Sequence, residues 1–304
     1  MPALLMAVLP LLALSAPLRA QAPSSFVPDT GAVLATAPHW VGEFAVLSGN
    51  ALLSGVTAGV TQKLRGGSFR DGFMRGLLGG SAIYLGKRVA AERFSGAGLL
   101  GREVASVGIS MVRNAGAGQG LLDELAFPLG VVRLYRERAD TGPGEPAGAA
   151  PRHHFRVRLD AFATGWLLYA ATQPQLHFDA GTSLSMGSFV FKTRNKVLAA
   201  GDLRAGGLAK DGVILLSDVP FWGPVYAQRA LHHEMEHTIQ DDQLFGTWIR
   251  PAQAALLRRV PGGAAFNRWI DLDGGNELLD LMANAVRYEV SPWELEAVYL
   301  SVRR

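Results

Sequence analysis

The stretch that most constrains this chain runs from Val225 to Leu244, where no glycine or proline interrupts a helical reading. Val225, Ala230, Leu231, Met235, Ile239 and Leu244 supply a broken apolar stripe along it. Inside it lies His233-Glu234-Met235-Glu236-His237, a His-Glu-x-x-His pattern. Residues four apart on a helix sit one above the other on one face, so His233 and His237 can offer two imidazoles to one metal ion. Glu234 stands beside the first of them, placed to take a proton from metal-bound water rather than to bind the ion. Zinc suits such nitrogen and carboxylate donors, and a catalytic zinc keeps one position open for water. His232 projects about 100° away from His233 and is expected to neighbour the site, not to ligate.

The context of the motif is a strand followed by a helix. Val213-Ile214-Leu215-Leu216 is an apolar run of strand length, and Pro224 suits a helix start. This arrangement resembles the zinc metallopeptidases called zincins, over roughly the last third of the chain. The resemblance implies a third protein ligand. In the gluzincin branch it is a Glu on a later helix, often within Glu-x-x-Ala-Asp. Pro292-Trp293-Glu294-Leu295-Glu296-Ala297 looks similar, with Glu294 and Ala297 in register and Val298 where the Asp would stand. Asn276-Glu277 is similar to the Asn-Glu of thermolysin-like enzymes, at a larger separation from the motif. Glu294 ranks first as third ligand, Glu277 second and Glu296 third, the last pointing away from Glu294 on a helix. The metzincin pattern is not met, because no His follows position 237. The resemblance further implies peptide hydrolysis, with Glu234 as the proton carrier and an oxyanion partner, for which Tyr226, Tyr288 and Tyr299 are candidates.

Composition bounds the alternatives. The chain has 304 residues, enough to bury a sizeable core. Its net charge of +3 and the lack of a basic run interleaved with aromatics argue against nucleic acid as a partner. With no cysteine, thiol nucleophiles, Cys-based metal sites and disulfides are excluded. The apolar run Ala3–Ala16 followed by small residues at 20–22 reads as a secretory signal over residues 1–22. An exported protein is expected, whether periplasmic, envelope-associated or secreted.

Between signal and motif, three regions are expected. Residues 23–138 are Gly-rich and mostly helical, with few strand signals between 41 and 135. Gly55 and Gly59 are four apart, as are Gly72, Gly76 and Gly80, which makes flat helix faces for close backbone approach. Charges from Arg65 to Arg93 interrupt the apolar runs, which argues against a span and leaves peripheral membrane contact through 41–135 open, beside close packing of these helices within a soluble domain. Residues 139–150, rich in Gly, Pro and Ala, read as a linker. From 151 to 304 a β-rich segment leads into the motif region. Phe155–Asp160 alternates as a half-buried strand should, and further strands are expected up to 217. Helices are expected over 264–288 and from Pro292, the latter with Ser291 as cap.

The sequence therefore predicts an α+β protein: a Gly-rich helical N-terminal region, then a β-rich segment leading into a zincin-like helical metal-binding region. Its expected chemistry is that of an exported zinc metallopeptidase acting on peptides or proteins, with His233, His237 and Glu294 on zinc and Glu234 catalytic. The rival expectation is a non-catalytic, envelope-associated interaction module. In it the Gly-rich helices bind membrane or partner, and the metal site is structural.

Overall fold

A computed structural model describes residues 39–138, 152–194, 197–198, 201–202, 206–217, 223–275 and 292–302. The expected signal at 1–22, the linker at 139–150, and Glu277 lie outside the described residues. The chain mixes helix and sheet, as an α+β protein does. It opens with three long helices, α1 (His39–Leu64), α2 (Phe69–Ala90) and α3 (Ala97–Ala117). Strands β1 (Leu125–Leu129), β2 (Val132–Arg138) and β3 (His153–Asp160) follow. Then come α4 (Ala161–Thr172), β4 (His177–Phe178), α5 (Ala180–Met186), β5 (Phe189–Thr193), β6 (Val197–Leu198), β7 (Gly201–Asp202), β8 (Gly207–Lys210) and β9 (Val213–Ser217). The motif helix α6 (Gly223–Leu244) runs into a π-helical turn at Phe245–Ile249. After it come α7 (Arg250–Leu257), α8 (Gly263–Phe266), β10 (Ile270–Asp271) and α9 (Pro292–Val302).

Glycine sets the spacing of the first three helices. On α2, Gly76 and Gly80 face α1: an added Cβ at Gly76 would lie 2.6 Å from the Ser54 carbonyl and 2.9 Å from the Gly55 Cα. Gly79 and Gly86 face the other way, against Gly108, Gly101 and Ala105 of α3. Backbone thus approaches backbone on both flanks of α2. Ala58, Ile83, Ile109, Val112 and Ala115 fill the space between. Ser68 caps α2 through the Asp71 amide.

Two four-stranded sheets lie beyond the helices, and β6 pairs with β7 as a separate two-stranded antiparallel sheet. The first has the order β1-β2-β3-β10, antiparallel except that β10 runs parallel to β3. Strands β2 and β3, on either side of the expected linker, pair directly, Val132 opposite Leu159 and Arg138 opposite His153. The second has the order β4-β5-β9-β8, with β5 parallel to β9 and β8 at one edge. Strand β9 is buried from Val213 to Leu216, and its face toward α6 joins Ile214 and Leu216 to Met235 and Ile239.

Several elements differ from the sequence reading. The Gly-rich region holds β1 and β2 as well as helices. The region expected as β structure contains α4 and α5, each opened by an Asp side chain, Asp160 accepting from the Ala163 amide and Asp179 from the Thr182 amide. The helix expected over 264–288 is limited to Gly263–Phe266 before β10, and residues 276–291 lie outside the described residues. Strand β3 forms where expected, but its charged side is the buried one. Phe155 and Val157 are 69% and 53% exposed, while Arg158 and Asp160 are buried. The reason is ionic: Arg158 pairs with Glu137 at 2.7 Å, and Arg133 with Asp160 at 3.0 Å. The charges also leave a gap in α1 that the sequence reading passed over. Residues 44–62 carry none, and Trp40–Leu64 is long and apolar enough to cross a membrane by length and composition.

The glycine contacts make opposite predictions at two positions. Gly76→Val must push α1 away from α2 and is expected to destabilise by about 1–3 kcal/mol. At Gly49, on α1, nothing lies within 4 Å of where a Cβ would stand. Gly49→Ala is expected to be neutral or to stabilise by up to about 1 kcal/mol. Thermal melts of the two variants against wild type check both.

Candidate metal centre

Helix α6 is unusual in burying polar side chains along most of its length. His232, Glu234, Glu236, Thr238, Gln240, Asp241 and Asp242 are all buried, because α2, α3, α9 and the β8–β9 hairpin pack around it. The i, i+4 spacing brings His233 and His237 together, their Nε2 atoms 3.1 Å apart. Glu294, in the first turn of α9, meets both: Oε1 lies 3.4 Å from His233 Nε2 and Oε2 lies 3.2 Å from His237 Nε2.

These separations provide a fit test for zinc. Four ligands about 2.0–2.2 Å from a tetrahedral zinc lie about 3.3–3.6 Å from one another. The two ring nitrogens stand 3.1 Å apart and each meets a different oxygen of Glu294, at 3.4 and 3.2 Å, spacings close to that range from which one carboxylate oxygen can complete the set. Two ring nitrogens and one carboxylate are also the donor chemistry that zinc accepts. The residues present fit the ion. Proton affinity is divided unevenly between the two rings. Burial pushes His233 down to about 4, aided by the neighbouring His237. Burial would lower His237 as well, but the Glu294 carboxylate outweighs it and carries His237 up to about 9.

The donors are held from behind. His237 Nδ1 and Gln240 Oε1 are 2.9 Å apart, so the ring donates there and turns Nε2 toward His233 and Glu294. Gln240 donates in turn to the Trp293 carbonyl and to Glu296 Oε2, at 3.0 and 2.9 Å. Glu296 forms a 2.7 Å ion pair with the buried Lys87 of α2 and accepts from Asn50 of α1. Its carboxyl is therefore committed to support, away from the ring nitrogens, and Lys87 and Gln240 hold it below its ordinary range despite burial. His233 makes a backbone hydrogen bond with Ala297. His233, His237 and Glu294, the three side chains singled out in the sequence, meet here; Gln240, Lys87 and Asn50 were not among the residues expected at the site. Only Gln240 left a local trace, three residues after His237 on the same helix.

Glu234 is buried beside β8. Its side chain packs against Gly207, and its carboxyl makes a backbone hydrogen bond with Ala209. Burial raises it to about 7, with His237 opposing the shift. A carboxyl poised there can both accept and return a proton near neutral pH. Tyr299 is turned elsewhere: its hydroxyl donates to Glu43 of α1 at 3.3 Å. Tyr288 and the Tyr226 side chain lie outside the described residues.

Gln240→Leu is expected to weaken zinc binding about 10–100-fold, the usual effect of removing a partner that orients a ligating imidazole. Competition with a chromophoric chelator measures it, and an unchanged affinity would show that Gln240 does not orient His237. No model of a known protein family matches this chain, and no curated protein or solved structure matches it.

Proposed function

We propose that the chain is an exported zinc-dependent metallopeptidase, with zinc held by His233, His237 and Glu294. The observation that carries this reading is the convergence of two imidazoles and one carboxylate, in contact at 3.1–3.4 Å, beside a buried carboxyl, Glu234. Zinc, when bound, supplies a Lewis acid that brings the pKa of water to about 7. Glu234 takes the proton released from the attacking water and passes it to the leaving amine nitrogen. Gln240 and the Ala297 backbone fix the two rings so that no reorientation is required of them. Gln240 and Lys87, through Glu296, keep α9 seated so that Glu294 stays over both rings.

Glu234→Gln keeps the shape of the side chain and removes its proton-accepting oxygen. Zinc content and Tm should stay near wild type while hydrolysis of a cleaved peptide falls at least about 10²-fold. Glu294→Gln should lose zinc and activity together. Full activity in Glu234→Gln would remove this helix from the catalytic role.

The exposed surface of the N-terminal helices supports a second reading, an envelope-associated module that touches membrane. Phe44, Leu52 and Leu53 of α1 and Leu78 and Leu85 of α2 are each more than half exposed. The full chain should then co-sediment with anionic phospholipid vesicles, and Leu52→Ser/Leu53→Ser should reduce the bound fraction several-fold. Equal sedimentation with and without vesicles removes the membrane contact. Vesicle binding by a chain that retains zinc but cleaves no peptide would favour the module over the enzyme.

A further inference from the structure

One turn beyond His237, helix α6 carries Asp241, whose surroundings are acidic and closed to solvent. Asp211, at the tip of the β8–β9 hairpin, and Asp273, just after β10, converge on it. One carboxylate oxygen from each of the three lies within 4.8 Å of the others. Their residues are 2%, 1% and 0% exposed, in the order Asp211, Asp241, Asp273. Two more buried acids, Asp160 and Asp242, stand alongside.

The arginines of this region are committed. Arg133 bonds Asp160, Asp242 and Asp273, and Arg102 binds Asp242 through two nitrogens. Asp273 Oδ1 also accepts from the Gly275 amide at 3.1 Å. Asp241 Oδ1, by contrast, is sealed from water and accepts no hydrogen bond from the described residues. A buried ionised carboxylate in that state is costly unless a proton or a cation completes it. Burial, and then the charges of Asp211 and Asp242, push Asp241 well above its ordinary range. Burial and Asp241 do the same to Asp273.

We infer that Asp211, Asp241 and Asp273 form a second metal site, distinct in chemistry from the histidine centre, that takes calcium. The donors are all oxygen, the set that hard divalent cations select over zinc. Two oxygens on opposite sides of a calcium ion, each about 2.4 Å from it, span about 4.8 Å. The three carboxylates therefore need no rearrangement larger than a side-chain adjustment. The ion joins the β8–β9 hairpin, the motif helix and the segment after β10, three elements otherwise far apart in sequence. This inference does not depend on the zinc assignment.

The test uses the full chain carrying His233→Ala and His237→Ala, which removes the nitrogen donors, after chelation and dialysis. Calcium chloride alone should then bind at about one ion per chain by isothermal titration, and Tm should rise with calcium by mass action until saturation. Asp241→Asn in the same background should weaken calcium binding by about tenfold or more, since ligand charge sets affinity. Asp211→Asn serves as the second variant if Asp241→Asn does not fold, with the same loss expected. Absence of calcium binding would overturn the inference. So would binding that neither substitution changes. An Asp241→Asn chain that melts at or above its parent, with calcium and without, would mean that a proton and not a cation completes the cluster.

Discussion

The packing around helix α6 depends on the guanidinium of Arg133. It reaches Asp160 at the end of β3, Asp242 on α6 and Asp273 after β10, and its central carbon lies 4.5 Å from the centroid of the Phe245 ring. Arg102 adds α3 to the same group through Asp242. Burying such ions costs desolvation that only close, multiple partners offset. Removing one partner leaves the others uncompensated, typically a loss of about 3–5 kcal/mol. The arrangement thus tolerates one register of α6 against the sheet and penalises its neighbours. Tyr135 is held similarly, between the guanidinium groups of Arg158 and Arg250 at 4.8 and 3.9 Å from its ring, with its hydroxyl donating to Asp271.

A second polar chain ties the N-terminal helices to the histidine centre. It runs from Asn50 and Lys87 through Glu296 and Gln240 to His237. Lys87 is 1% exposed, so its ammonium has no water to replace a lost partner. The glycines of α2 are what admit it. With Gly86 against α3 and Gly80 against α1, α2 lies deep enough for a lysine on it to reach α9.

The parts of this design that lie close together in sequence were legible there. His233 and His237 are four apart, and helical geometry alone puts their rings side by side. Glu294 was reachable through a local pattern after a helix-opening proline. Gln240, Lys87 and Asn50 were not, because their meaning depends on contacts between α1, α2, α6 and α9 that no spacing encodes. Strand β3 shows the same limit differently. Alternation from Phe155 to Asp160 announces a strand, but period two does not say which side faces inward. Here the partners Glu137, Asp271 and Arg133, all on other strands or nearby, decided for the charged side. Helix α4 escaped notice because Ala161–Thr172 is apolar all round and carries no stripe.

The position of Glu294 on α9 has a consequence for biosynthesis. A growing chain exposes both histidines while α9 is still unmade. Until Glu294 arrives, the rings have no carboxylate against them, and Gln240 has neither Glu296 nor the Trp293 carbonyl to bind. Lys87, emerging earlier still, has to wait for Glu296 as its partner. Assembly of the centre is thus tied to the docking of α9, and a chain halted before α9 would carry the motif without the geometry.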